Sequence, residues 1–398
     1  MRVRGDGLAR SANDRLYAYN PSVARWRTRA EPRARYVALA RATNHHNCYS
    51  IMTPVPARDR LVSGLFALVL LDAGLRPLPA TEAVVDFSDE FERVYARPGA
   101  RRPGRPRAQH GVDCRLHAGD ALHISCNRGV VATLSIRRRD GGGDGGYRCA
   151  APLECPAPPT GAPAGRVVFG GAVEYEVSAF RSVTPDRLHT TNDKNSNLFA
   201  VGGRAFLELI TLAPRTVLEV DLRAGRTLRT LHPPSSALAM RNRPREDATA
   251  EARGGACCLE LRDRDGGATF VGVGHYHLPG YQYLQYLYAF RGESPFPLVA
   301  TSEPFCWRDA AGSDGRRRGP RLFDASVRRL YFESEWPGTI DQCAYIQMTM
   351  SIAHADAPAD AEPRAVVGVG VNDCDAFVAT VRIAELVEVL GINGSVVL

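Results

Sequence analysis

Thr269-Phe-Val-Gly-Val273 runs without a break into Gly274, His275, Tyr276 and His277, and the fold turns on how that junction is read. The first five residues read as a strand, and the polar cluster marks the place where the strand reaches an edge. The same arrangement recurs along the chain. Strand-like runs are Tyr36-Val-Ala-Leu-Ala-Arg41, Ala121-Leu-His-Ile-Ser-Cys126, Arg166-Val-Val-Phe169, Thr216-Val-Leu-Glu-Val-Asp221 and Ala365-Val-Val-Gly-Val369. Polar clusters beside such runs are Asn20-Pro-Ser22, Asp113-Cys-Arg115, Lys194-Asn195, His275-Tyr-His277 and Asn372-Asp373, whose first residues lie 93, 81, 81 and 97 residues apart. Helical periodicity is weak, and its best segment is Ile383 to Leu390. Many short strands with turn signals between them indicate a sandwich, barrel or propeller. Radial repetition would bring one polar edge per blade to the mouth of a central channel, and this spacing favours an all-β propeller among the three.

Composition sets the limits. The 398 residues are 23% charged and 44% hydrophobic, which fits a globular protein. The 37 glycines and 27 prolines concentrate in stretches that cannot bury enough apolar surface to order themselves. These are Ala96 to Gln109, Arg137 to Gly165, Leu231 to Ala256, Arg308 to Arg321 and Ala353 to Pro363. They divide the chain into an extension over 1–19, one propeller domain over 20–391 carrying long disordered loops, and a tail over 392–398. The net charge of +7 comes largely from arginine runs such as Arg137 to Arg139 and Arg316 to Arg318. Gly and Pro separate the runs and no aromatic platform interleaves with them, so they read as solvated loops and no nucleic-acid partner is expected. The ten cysteines form no CxxC pair and read mostly as buried thiols. Met1 to Asn20 has no apolar signal core, and Leu61 to Leu71 is too short to span a bilayer, so a soluble chain, cytoplasmic by default, is expected. Asn393-Gly-Ser395 is a glycosylation sequon that matters only in a secretory lumen. Oligomeric state is not legible.

Asn20-Pro-Ser22, Gly111-Val-Asp-Cys-Arg-Leu116, Asp193-Lys-Asn195, Gly272-Val-Gly-His-Tyr-His277 and Gly368-Val-Gly-Val-Asn-Asp-Cys-Asp375 together resemble the five-bladed propeller enzymes that act on mannosides. These are the glycoside hydrolase family 130 phosphorylases and hydrolases and the related β-1,2-mannosyltransferases. The resemblance runs from about Asn20 to Leu390. It implies a carbohydrate substrate, a mannose-type glycoside handled by transfer, phosphorolysis or hydrolysis. It also implies no cofactor beyond inorganic phosphate or a sugar nucleotide as co-substrate, and leans toward transfer.

The resemblance also assigns roles. The family loop reads approximately Glu-Asp-Pro-Arg and its Asp is the general acid. Asp113 and Arg115 keep that spacing, while Val112 and Cys114 replace the Glu and the Pro. Glycosyl transfer needs a positioned acid to protonate the leaving oxygen. Asp373 matches a second pocket carboxylate, which inverting chemistry would place about 6.5 to 9.5 Å from the first. Asn20, Asn195 and Asn372 supply hydrogen bonds to sugar hydroxyls, and Lys194 supplies a cation. Arg215 stands where relatives carry His and reads as an anion binder or a solvent-facing charge. His275 and His277 share one face of a strand and are able to hold an anion or a metal, but no third ligand is in view. No metal site is expected. Tyr281, Tyr283, Tyr286, Tyr288 and Phe290 read as packing between blades. Glu303, Glu333 and Glu335 read as solvated loop charges. The competing reading is a non-catalytic propeller that binds carbohydrate or protein, because the missing Glu is what a decayed site would show.

Overall fold

The computed structural model describes residues 17–43, 64–95, 112–138, 166–167, 173–184, 195–210, 212, 215–234, 251–278, 282–305, 307, 328–329, 347–358, 360–371, 375–392 and 396–397. Five antiparallel sheets follow one another around an axis. Blade I holds β1 (Tyr17–Arg25), β2 (Tyr36–Thr43), β3 (Leu65–Leu71) and β4 (Ala83–Asp86) in that order from the axis outward. Blade II holds β5 (Cys114–Ala118), β6 (Leu122–Cys126), β7 (Val130–Arg138), β8 (Arg166–Val167), β9 (Val173–Val177) and β10 (Arg181–Ser182), with the spatial order β5-β6-β7-β9-β8 and β10 paired to β7. Blade III is β11 (Asn197–Val201), β12 (Arg204–Ile210), β13 (Thr216–Asp221) and β14 (Arg226–Leu231). Blade IV is β15 (Glu251–Asp263), β16 (Ala268–Leu278), β17 (Gln282–Arg291) and β18 (Leu298–Thr301). Blade V is β19 (Arg328–Arg329), β20 (Gln347–His354), β21 (Arg364–Val371) and β22 (Asp375–Arg382), with β20 innermost and β19 outermost.

The core is five seams rather than one centre, because successive residues of a strand point to opposite faces and each face meets a different neighbour. In β17, Leu287 and Ala289 pack toward blade V, whereas Tyr286, Tyr288 and Phe290 pack toward blade III. In β2, Val37 and Leu39 face blade II, and Tyr36 and Ala38 face blade V. In β11, Phe199 faces blade IV and Leu198 faces blade II. Every pair of adjacent blades therefore shares an apolar seam, and the contact between blades V and I closes the ring. Tyr286, Tyr288 and Phe290 of β17 pack between blades, as expected, whereas Tyr283 stacks on His275 and Tyr281 lies outside the described residues. Phe199, Phe206, Phe290 and Phe296 build the seam to blade III, with Phe206 and Phe296 centroids 4.6 Å apart.

Glycines set how closely strands approach. A Cβ on Gly272 would overlap the Tyr288 ring, and one on Gly274 would overlap the Tyr286 ring, so the Gly-Val-Gly of β16 is the bed on which two tyrosines of β17 lie. Ring closure is also polar. The carboxylate of Asp356 receives Arg25 at 2.6 Å, Arg27 at 2.7 Å and Arg35 at 2.9 Å.

Several expected boundaries shift. The strand-like runs fall in β2, β6, β8, β13, β16 and β21, and Ile383–Leu390 is a helix. It buries Ile383, Leu386, Val387 and Leu390 and ends at Gly391, whose φ of 68° admits the left-handed cap. Another helix, α1 (Ser88–Tyr95), was not foreseen. It bridges blades I and II by inserting Phe91 among Phe66, Phe87 and Phe180. The insertion read over Leu231 to Ala256 is too long, since β15 begins at Glu251. Arg137 and Arg138 belong to β7 rather than to a loop, and 353–358 is ordered by Asp356. β1 starts at Tyr17, inside the stretch taken as an extension. The stretch taken as a tail adds strand β23 (Val396–Val397), which pairs with Arg262 and Asp263 of β15. The buried-thiol reading is corrected for two cysteines. Cys114 bonds to Cys126, directly opposite in the β5–β6 ladder. Among the described residues no helix is long and apolar enough to cross a membrane.

Candidate active site

β1 carries a bulge between Tyr19 and Ser22, where the ladder to β2 shifts register. Pro21 lacks an N–H and fits a bulge, and Asn20 adopts φ of 52°, a left-handed conformation that Asn tolerates. The bulge turns the Asn20 side chain across to blade II, where Nδ2 donates to Asp113 Oδ1 at 3.3 Å. This crossing requires a glycine on blade V. A Cβ on Gly370 would lie 2.9 Å from the Asn20 Cα and overlap its Oδ1. A Cβ on Gly368 would overlap the Pro21 carbonyl. The Gly-Val-Gly of β21 is thus a groove for the Asn-Pro-Ser of β1.

Asp113 lies just before β5, with 14% of its side chain exposed. Its Oδ1 also faces Arg41 Nη1 at 3.5 Å, and the Arg41 guanidinium sits 5.3 Å over the Tyr19 ring. Two residues on, Arg115 points the same way and is fully buried. It donates through Nε to the Gly255 carbonyl, through Nη2 to Asn195 Oδ1 at 2.8 Å, and its Nη2 lies 3.8 Å from Met350 Sδ. Among the described residues Nη1 has no hydrogen-bond partner. Burial, only partly offset by the Asp113 charge, pulls the Arg115 pKa down to about 10, so it stays cationic at neutral pH. Arg115 thus crosses the axis and touches blades III, IV and V from blade II. Gly254 and Gly255 permit this, since a Cβ on either would overlap or crowd the Asn195, Val273 or Thr349 carbonyls.

The expected residues distribute as follows. Asn20, Asp113, Arg115 and Asn195 come together at the axis, with Asn195 at φ of 73° and its N–H directed to Asn127 Oδ1 at 3.4 Å. His275 is buried in β16, opposite Arg253 and Gln285 in the ladders, with its ring stacked on Tyr283 at 4.8 Å. Gln285 joins this strand to blade V, where its Oε1 accepts the Thr349 hydroxyl at 2.9 Å, and Thr349 in turn accepts the Trp307 indole N–H at 2.7 Å. Lys194, Asn372, Asp373 and the side chain of His277 lie outside the described residues.

Arg215 is corrected. It is neither solvent-facing nor at the axis mouth but sealed in the seam between blades III and IV. Nη2 and Nε reach Glu208 Oε1 at 2.8 and 3.0 Å, Nη1 donates to the Phe296 carbonyl, and the guanidinium lies 4.1 Å over Phe290. Glu208 also accepts the Tyr288 hydroxyl and the Asn197 amide. Burial, followed by the Glu208 charge, holds Tyr288 well above the usual phenol range, so it remains a donor.

Sequence reasoning missed Arg41, Gly254, Gly255, Thr349 and Glu208. Arg41 was legible as the polar end of a strand-like run. The two glycines were hidden inside a stretch that resembles linker. Among the described residues no three His, Cys, Asp or Glu side chains are grouped as metal ligands would be.

Among the described residues at the mouth, the Asp113 carboxylate meets the Asn20 amide and the Arg41 guanidinium, with Arg115 and its partner Asn195 beneath. The carboxylate is able to exchange a proton with a ligand, the amides to order hydroxyl groups, and the net positive charge to favour an anion.

No protein-family model matches the sequence, and no curated protein matches it. Several solved structures are similar to it. A β-1,2-mannobiose phosphorylase from Listeria innocua is 10% identical, with a TM-score of 0.45 over 95% of this chain and 92% of the other. A GDP-mannose-dependent mannosyltransferase from Leishmania mexicana is 10% identical, with a TM-score of 0.39 over 96% and 88%. A mannose phosphorylase from the same organism, in complex with phosphate, is 9% identical, with a TM-score of 0.33 over 96% and 88%.

Proposed function

We propose that this chain is a carbohydrate-active enzyme for mannose-type glycosides, with Asp113 as general acid/base. The observation that carries the proposal is the convergence on Asp113. Its carboxylate remains partly exposed at the axis while Asn20 of blade I, Arg41 of blade I and the deeper Arg115 surround it. The sugar class rests on the five motifs that resemble mannoside-active propellers. In phosphorolysis Asp113 gives its proton to the leaving oxygen as the anomeric C–O bond breaks and an anionic phosphate oxygen forms the new bond. In hydrolysis water forms that bond and releases its proton to solvent. In transfer from a sugar phosphate the Asp113 carboxylate takes the proton of the acceptor hydroxyl as that oxygen bonds to the anomeric carbon and the phosphate leaves. Among the described residues Arg41 and Arg115 outnumber the Asp113 carboxylate, which favours a donor or nucleophile that carries phosphate, as a sugar nucleotide or inorganic phosphate does. The solved structures named above guide only the choice of donors to assay.

One observation favours the non-catalytic reading. Val112, where the resemblance implies a Glu, is buried in the apolar seam between blades I and II. Incubation with GDP-mannose or mannose 1-phosphate and mannose acceptors separates the readings. Wild type is expected to form product, and Asp113→Asn to lower turnover on the order of 10²- to 10⁴-fold while still binding sugar. Sugar binding by both proteins with product from neither would defeat the enzyme reading.

A further inference from the structure

Cys114 and Cys126 are the last directly opposed pair of the β5–β6 ladder at the axis mouth, and their disulfide holds the two Cα atoms 4.1 Å apart. Each end of this crosslink carries residues of the site. Asp113 precedes Cys114 and Arg115 follows it. Asn127 follows Cys126, and its Oδ1 accepts the Asn195 N–H, while the Cys126 carbonyl accepts the Ser196 hydroxyl at 3.4 Å. β5 is five residues long and pairs with β6 alone among the described strands; inside it, Arg115 and Leu116 are held by other blades, while the Cys114 end has the crosslink. Asp113 lies just beyond the end of that ladder, where a strand frays first. Both cysteines are buried in the seam between blades I and II.

We propose that the Cys114–Cys126 disulfide positions Asp113 and Asn195, so that turnover depends on the oxidation state of this pair. The inference rests on the enzyme reading above and assigns both cysteines as positioning residues. A dithiol reductant breaks the S–S bond by giving two electrons and two protons to the two sulfurs, and itself becomes a cyclic disulfide. The reduced pair keeps its apolar packing and loses the constraint on the last ladder position.

The test compares oxidised protein, dithiothreitol-reduced protein and a Cys114→Ala/Cys126→Ala variant. Alkylation with peptide mass spectrometry reads the state of the pair. Amide hydrogen exchange over 112–116 and 195–197 reads the mouth, and kcat and KM are measured with the donors above. Loss of the crosslink is expected to speed exchange in both segments and to lower kcat on the order of tenfold to a hundredfold, with KM changed much less. In an Asp113→Asn background the cysteine variant should lower residual kcat much less than it does in wild type, because the part of its effect that acts through Asp113 is already lost. Free Cys114 and Cys126 thiols in fully active protein, or equal exchange and kcat in oxidised and reduced protein, would overturn the proposal. An exchange response without turnover by the oxidised wild type would instead defeat the enzyme reading and leave the clamp standing.

Discussion

Asn20 and Asp113 are 93 residues apart in the chain and meet at 3.3 Å between side-chain amide and carboxylate. Their meeting depends on a third residue on a third blade, since Gly370 leaves the space into which the Asn20 side chain turns.

Gly370→Ala is therefore expected to disturb the site before it disturbs the fold. The added methyl would displace the bulge of β1, costing about 1 to 3 kcal/mol by overpacking. Turnover should fall more than the same loss of stability produces elsewhere. Parallel urea unfolding and initial-rate measurements check this, with Val371→Ala as a stability-matched comparison.

The Glu208–Arg215 pair tests whether buried charge stabilises or only must not be broken. Glu208→Gln leaves the Arg215 cation in a dry seam and is expected to cost about 3 to 5 kcal/mol. Replacing both by Leu and Met should recover most of that loss. Urea midpoints of the single and double variants decide it, and equal losses in both would contradict the account.

His117 makes stability depend on pH. Burial, then the nearby Arg115 charge, pushes its pKa down to about 3, and its ring nitrogen lies 2.7 Å from the Ser125 hydroxyl. Unfolded histidine titrates near 6.5, so between about pH 6.5 and 3 the unfolded chain holds one more proton than the folded one. The stabilising effect is complete above that window and is lost as pH falls through it, at up to about 1.4 kcal/mol per pH unit. His123 is lowered too, mainly by burial, and acts in the same direction. Between pH 7 and 5, His117→Gln should show a smaller drop in Tm than wild type.

Asp356 draws three guanidiniums across the closure of the ring. Asp356→Asn should cost about 1 kcal/mol or more at low salt, because the arginines then repel one another without a counter-charge. The difference from wild type should shrink in about 1 M salt, where the screening length falls to about 3 Å. Unfolding at two ionic strengths provides the check.

What the sequence reveals follows from what each pattern reports. Gly272-Val-Gly274 and Gly368-Val-Gly370 stand out because apolar strands buried on both faces cannot be mistaken for loops, and the polar residues after them mark the strand ends. Asn20 and Asp113 are visible as polar breaks beside such runs. Gly254 and Gly255 are not visible, since Glu251-Ala-Arg-Gly-Gly255 has the composition of a linker. Only the close approach of Asn195 and Thr349 explains those glycines. Arg215 misleads for a similar reason. A charged residue beside a proline resembles a surface turn until Glu208, seven residues earlier, is seen to neutralise it inside a seam. The helix over Ser88–Tyr95 escapes because its one apolar stripe is too short to show a period.

Because Arg115 reaches across to Gly255, Asn195 and Met350, a single side chain of blade II spans the axis below Asp113 and bolts it to three other blades. In the proposed reaction, donor and acceptor would meet on the Asp113 side of that bolt, so anything that loosens it is felt by both at once.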